Sequence, residues 1–304
     1  MTRSVPRWAR WLTLLSILGV LSGAPSPAAA QDTPQDKPIG EAPKERDAED
    51  VFLRGQRLLL APGQVVVDFG QFYSRSDTLQ LAVASNAIQL ATQERSVVTT
   101  ALIGRVGIFN ETEVYSGAAF HHLEDRLVVG VVDVASAGRN LVSDVSVGLR
   151  RTLLREGAGR PDIIASIDTT IPTRDDSVNV LGGSLVFVKS IDPVVLFAGA
   201  NYAHGFSRDL RDGTRVVPGN AASVSLGYSL AVNDSVAIST AASGAFTRAA
   251  FNQDVKTGRT ETFSLRFALT AALAKRLYVE PSVTLGLSGP GQSFTFGVTL
   301  PFSF

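Results

Sequence analysis

The chain has no cysteine among its 304 residues, so it forms no disulfide and carries no thiol to take a lipid after an export signal. A lipoprotein is excluded. An excess of either charge is missing too: 28 Lys and Arg balance 28 Asp and Glu, which removes the electrostatic case for a nucleic-acid partner. Beyond residue 30, no apolar run approaches the roughly twenty residues that a spanning helix needs. Histidine is scarce, and the three present are His121, His122 and His204. Neighbouring residues of a strand point to opposite faces, so His121-His122 cannot chelate a metal from one side. No nucleophile-elbow pattern and no strand–Gly-loop–helix phosphate cradle occurs. These absences point away from an enzyme and imply no metal and no cofactor. Both tryptophans, Trp8 and Trp11, fall in the first thirty residues.

What is present begins with an export signal. "MTRSVPRWARWLTLLSILGVLSGAPSPAAAQ" has a basic start (Arg3, Arg7, Arg10), an apolar stretch from Trp11 to Leu21, and Ala28-Ala29-Ala30 before Gln31. This pattern predicts a signal peptide over 1–30, cleaved after Ala30. Residues 31–50 carry three prolines and almost no apolar side chains, and read as a solvated leader that extends to residue 63. Its last stretch, "VFLRGQRLLLAPGQ", reads as a short helical turn docked at the rim of the domain beginning at Gln64, and ended by Pro62-Gly63.

From Gln64 the chain alternates. "SFTFGVTLPFSF" sets Phe294, Phe296, Val298, Leu300, Phe302 and Phe304 against Ser293, Thr295, Gly297, Thr299, Pro301 and Ser303. "SVSLGYSLAV" and "TFSLRFALTAAL" repeat the theme, with Val224, Leu226, Tyr228 and Phe263, Leu265, Phe267 on one face. A soluble sandwich alternates as well, but covers its outer face with Lys and Glu; here the polar face is Ser, Thr and Gly with isolated charges. Mean hydropathy is slightly positive although no long apolar block exists. Hydrophobicity spread through period-two alternation is the signature of a transmembrane β-barrel.

Short turns are expected at 109–111, 191–193, 233–234 and 274–275, and longer polar loops near 124–140, 208–219 and 249–258. Between them lie strands near 64–75, 95–108, 112–123, 142–154, 161–172, 177–190, 194–207, 220–232, 235–248, 259–273, 276–288 and 292–304. That is an all-β antiparallel barrel of about twelve strands over 64–304, the even number that puts both ends of the barrel on one side. Thr78–Leu90 is read as an extended or helical flap in the first outer loop. Tyr73, Phe120, Phe206, Phe246, Phe263 and Phe294 are expected in an outer aromatic girdle, and Phe187, Phe197, Phe302 and Phe304 in an inner one.

Projection of the strands inward places Asp68, Arg105, Glu113, Tyr115, Asp144, Arg150, Asp168, Arg266 and Glu280 in the lumen. Charges of both signs in a narrow bore pair across it as a stiffening plug network, or line it as a solute filter. The placement expected is the outer membrane of a Gram-negative bacterium, with its lipid and lipopolysaccharide as surroundings. Phe302 and the final Phe304 resemble the C-terminal signature read by the barrel-assembly machinery.

"LRGQRLLLAPGQVVVDFGQFYSRSD" and "SDVSVGLRRTLLREGAGRPDIIASIDTTIPT" resemble the outer-membrane barrels of the meta-pathway phenol-degradation, transporter-like family, from about residue 53 onward. The resemblance implies a roughly twelve-stranded barrel and a role in passing small, often hydrophobic or aromatic, compounds. Two other readings stay open: a structural or surface-interaction barrel with a closed lumen, and, more remotely, an outer-membrane hydrolase.

Overall fold

Alternation becomes strand throughout the computed structural model, which describes residues 59–304 apart from 85–86, 130–131, 175–176, 210–214, 234, 253–254, 257, 275–276 and 289–291. The signal segment and residues 31–58 of the leader lie outside the described residues. The strands are β1 (Val65–Ala84), β2 (Ala87–Phe109), β3 (Thr112–Val129), β4 (Val132–Val142), β5 (Val145–Leu154), β6 (Asp162–Ile171), β7 (Val180–Ile191), β8 (Val194–Gly205) and β9 (Arg208–Asp209). They continue as β10 (Arg215–Val217), β11 (Ala221–Asn233), β12 (Val236–Thr247), β13 (Phe251–Asn252), β14 (Val255–Lys256), β15 (Thr260–Ala274), β16 (Leu277–Ser288) and β17 (Gln292–Ser303).

Twelve of these close into the expected barrel. The antiparallel order is β1-β2-β3-β5-β6-β7-β8-β11-β12-β15-β16-β17, and β17 pairs back onto β1 from Val66↔Ser303 to Asp77↔Gln292. The backbone N–H of Phe304 donates to the Val65 carbonyl at 2.9 Å and finishes that seam. Closure leaves the barrel wall no free edge, which is what a sheet in lipid requires. The strand ends of β2–β3, β7–β8, β11–β12 and β15–β16 meet where the four short turns are expected, at one end of the barrel.

The first outer segment departs from expectation. Thr78–Leu90 is not a separate flap: β1 and β2 stay paired from Val65↔Val106 to Ala84↔Ala87. They run 20 and 23 residues, about twice the 9–11 that cross a bilayer at a tilt. The region near 124–140 behaves alike, as the paired tips of β3 and β4. β4 and β5 run in the same direction, separated by a break at Ser143-Asp144. A four-stranded extension therefore rises beyond the barrel, and the outer loops add a small sheet ordered β14-β13-β10-β9.

The two faces are inverted relative to a soluble protein. Leu102, Leu226 and Leu287 are 55%, 66% and 64% exposed on the outward face, whereas Glu113 is 0% exposed inside. An exposed apolar belt of this extent fits lipid and no aqueous surface. Outer-girdle rings meet in pairs, Tyr73 with Phe294 at 6.0 Å and Phe246 edge-on to Phe263 at 5.8 Å between centroids. Phe197 corrects the inner-girdle assignment: Leu196 takes the outward position, and the Phe197 ring lies over Gly227 on the bore side.

The barrel's short-turn end carries a clamp. Glu156, in the β5–β6 turn, accepts from Lys189 Nζ at 2.7 Å and from the Ser190 backbone N–H at 3.1 Å. Lys189 Nζ also donates to the Gly157 carbonyl at 2.9 Å, tying the β5–β6 turn to the end of β7. Burial pushes the Glu156 carboxyl up, but the hydrogen bonds from Lys189 and Ser190 outweigh it and hold the group below its ordinary value of 4.5. A depressed carboxylate stabilises the fold above its unfolded pKa, and that contribution is lost as pH falls through the folded one. Urea titrations of refolded protein from pH 7 downward are expected to show the midpoint falling in the acid range. Lys189→Met removes that part of the slope; an unchanged slope would show the clamp to be inert.

Candidate functional site

The inward face of β1, β2, β3 and β5 gathers most of the lumenal charges the sequence singles out. Arg105 on β2 donates through Nε to Asp68 Oδ2 on β1 at 3.1 Å, and its Nη1 stands 3.8 Å from Glu113 Oε2 on β3. Arg150 on β5 donates through Nη1 to Glu113 Oε1 at 3.0 Å and lies 4.9 Å above the Tyr115 ring. Side chains of Asp68, Arg105 and Glu113 are 3%, 4% and 0% exposed. Two carboxylates and two guanidiniums cancel, so the cluster puts no net charge into the bore.

Register explains how such bulk fits. One cross-strand row reads Tyr115↔Gly148↔Asp168↔Gly182, alternating large and small. A Cβ on Gly148 would stand 2.4 Å from the Tyr115 ring, so only glycine leaves room for it. Asp168 likewise lies over Gly182, and Phe72, which is not among the residues singled out from sequence, covers Gly70 and Gly297. Phe72 is legible in principle, because it shares parity with Asp68 and Gly70.

The opposite wall is small and hydroxylic. A row continues from the charge cluster as Glu113↔Arg150↔Ser166↔Ser184↔Asn201↔Ser223. A second row reads Gly199↔Ser225↔Ser243↔Ser264↔Gly286. Ser166 and Ser184 hydroxyls are 2.6 Å apart and Ser243 and Ser264 hydroxyls 2.8 Å apart. Strands are tilted, so cross-strand rows climb the wall and form hydroxyl tracks around the bore. Arg266 and Glu280 meet on this side at 2.6 Å, with the Arg266 side chain 43% exposed. Asp144 is set apart: it stands in the β4–β5 break and accepts from the Thr173 N–H at 3.0 Å.

Residues 59–64, which precede the first strand, enter the short-turn mouth. Ala61–Gln64 forms a tight turn in which the Gln64 N–H donates to the Ala61 carbonyl at 3.0 Å and Gly63 takes φ 82°. Pro62 pre-sets the first corner and Gly63 supplies the positive φ, the residue order of a type II turn. The chain is thereby folded back over the inward face of β2. Leu60 N–H then donates to Glu113 Oε2 at 3.3 Å, and Gly107 packs against the Ala61 carbonyl, where its missing Cβ would be 2.1 Å away. Residues 59–63 lie at the rim; residues 51–58 of the stretch read as a docked helical turn lie outside the described residues.

The histidines do other work. His121 Nδ1 is 2.9 Å from Thr99 Oγ1, while His122 Nδ1 is 2.7 Å from Asn140 Oδ1, on the opposite face. Among the described residues, no group of three or more His, Asp or Glu is arranged to hold a metal.

No family model matches the chain. The fold, however, is that of bacterial outer-membrane barrels. An outer membrane channel from Pseudomonas putida F1, described as a COG4313 channel, superposes with a TM-score of 0.62 at 12% identity, over 82% of this chain and 98% of that one. The translocator domain of the autotransporter NalP from Neisseria meningitidis gives 0.50 at 9% identity, over 84% and 97%. The transport unit of the autotransporter AIDA-I from Escherichia coli gives 0.50 at 12% identity, also over 84% and 97%.

Proposed function

We propose that this barrel is a non-enzymatic outer-membrane channel that passes small, uncharged molecules. The observation that carries this reading is the division of the bore: a self-neutralised charge cluster on one wall and hydroxyl tracks on the other. A neutral solute exchanges hydrogen bonds along Ser225, Ser243 and Ser264 without facing an uncompensated charge. That an outer membrane channel shares the fold supports this use of the barrel. The resemblance to the meta-pathway phenol-degradation barrels points to aromatic or hydrophobic solutes. Outer-membrane lipid and lipopolysaccharide surround the barrel, and the assembly machinery reads Phe302 and Phe304, which are 37% and 72% exposed at the outward seam.

Planar-bilayer recordings and liposome swelling with phenol-sized solutes test the reading; no current and no swelling would leave a closed structural barrel. Arg266→Ala separates filter from plug. If the Arg266–Glu280 pair obstructs the path, unit conductance rises and heat resistance falls together. If it only filters, conductance holds while ion preference shifts.

The second reading, a lumen closed at rest, is favoured by the turn at Ala61–Gln64 seated against Gly107 and Glu113.

A further inference from the structure

The outward face changes character stepwise on one side of the barrel. Phe69 faces Leu102 across β1 and β2, two apolar residues on the lipid side. Next outward stands the polar pair Gln71↔Thr100, with the Thr100 hydroxyl donating to Gln71 Oε1 at 2.9 Å, then Tyr73↔Val98, and beyond it the outward rows read Arg75↔Ser96↔Glu124 and Asp77↔Glu94↔Arg126. A charge on the lipid face costs about 2–4 kcal/mol at midplane and about 0–1 near the boundary, so these rows mark the headgroup level of the outer leaflet. Tyr73, with an apolar body and a wet tip, sits at the transition, its hydroxyl 3.4 Å from Ser96 Oγ.

Of these, Tyr73, Arg75, Glu94, Glu124 and Arg126 line a cavity of about 280 Å³, at the small end of ligand pockets, about 300–1,000 Å³. Arg75 pairs with Asp77 at 3.2 Å and with Glu94 at 3.1 Å; Arg126 pairs with Glu124 at 3.6 Å. Across the pocket His122, held by Asn140, approaches Glu124 at 3.8 Å. Two carboxylates, Glu94 and Glu124, line the cavity beside two guanidiniums, and Asp77 holds Arg75 from outside it, so no surplus positive charge awaits a phosphate. The guanidiniums equally repel a bare cation. What this lining offers is planar donors and acceptors side by side around the edge of a tyrosine ring. A sugar hydroxyl donates and accepts at once, and a sugar's C–H face rests on an aromatic body.

We propose that this pocket seats a saccharide unit of the outer-leaflet glycolipid, so that the barrel grips lipopolysaccharide by its sugars rather than by its phosphates. The inference rests on the outer-membrane reading above and names the site of that contact.

The test uses the full chain refolded into vesicles. One set carries lipopolysaccharide with its core sugars, and another carries lipid A alone. Core-bearing lipopolysaccharide is expected to raise the barrel's unfolding temperature above that in lipid A. Arg75→Ala with Arg126→Ala is expected to remove the difference and weaken binding about tenfold, the loss of about 1.4 kcal/mol. Heat-shifted gel migration of the variant verifies that it still folds. Equal stabilisation by lipid A would assign the effect to phosphates or acyl chains and overturn the site. Loss of the effect on chelating calcium would assign it to a bridging cation, and equal binding of free core oligosaccharide would assign it to a soluble sugar; either overturns the proposal. Because the chain lacks cysteine, Phe294→Cys gives a unique position for a polarity-sensitive dye beside Tyr73. Dye emission from lipid together with no preference for core sugars sinks the saccharide seat and spares the membrane barrel. Emission from water sinks both.

Discussion

Glu113→Ala is expected to lower the unfolding free energy of the barrel by about 3–5 kcal/mol, the cost of leaving buried charge without its partner. Glu113 is fully buried and serves three groups at once: Arg150 at 3.0 Å, Arg105 at 3.8 Å, and the Leu60 backbone N–H at 3.3 Å. Its removal takes a carboxylate from both Arg105 and Arg150, and like charges then confront each other in a confined bore. Surface pairs such as Arg126–Glu124, half exposed, are worth about 0–1 kcal/mol by comparison. Urea unfolding in detergent micelles, followed by far-ultraviolet circular dichroism, reads the difference. Glu113→Gln keeps an acceptor for Leu60 and Arg150 and is expected to lose less. An alanine variant as stable as the parent would show that water, not Glu113, satisfies the arginines.

Gly107→Val is expected to expel the turn at Ala61–Gln64 from the mouth. The added Cβ would stand 2.1 Å from the Ala61 carbonyl oxygen and 2.8 Å from that of Leu60, both backbone atoms with no rotamer to give way. Either the β2 ladder yields or the turn does. The β1–β2 ladder runs through twenty cross-strand pairs, whereas the turn is held by a few hydrogen bonds at about 1 kcal/mol each. The turn yields. Unit conductance is expected to rise, a protease is expected to cut near Leu59–Leu60, and stability is expected to fall by about 1–3 kcal/mol. Unchanged conductance with a released turn would show that the narrow point lies elsewhere, at Phe72 or at Arg266–Glu280. An intact turn would mean that the ladder bends first.

Much of the barrel is legible in the residues, because alternation is local. A strand announces its faces through neighbours two apart, so the lipid side and the lumenal parity of Asp68, Arg105 and Glu113 can be read without the fold. Position along the strand misleads at Phe197, where an aromatic near a strand end suggests the lipid side although Leu196 holds that position. Strand length is harder to read. "TLQLAVA" continues the period of β1 past any membrane's need, and nothing local says whether such a run pairs upward or folds away. Register is out of reach. Tyr115 opposite Gly148, and Ser225 opposite Ser243, are facts about residues far apart in sequence, fixed by how the ladders align. The grip of Leu60 on Glu113 spans 53 residues and leaves no trace in composition.

The seam of β1 with β17 has an implication for biogenesis. Every other ladder of the wall joins strands that are near neighbours along the chain, so each can zip as a hairpin while synthesis or insertion is under way. Val66 and Ser303 can meet only after everything between them has been threaded. Until that moment the sheet has two raw margins, each with unanswered peptide groups that lipid cannot satisfy. The cylinder is finished by one rendezvous, and its timing sets how long the half-built wall is at risk.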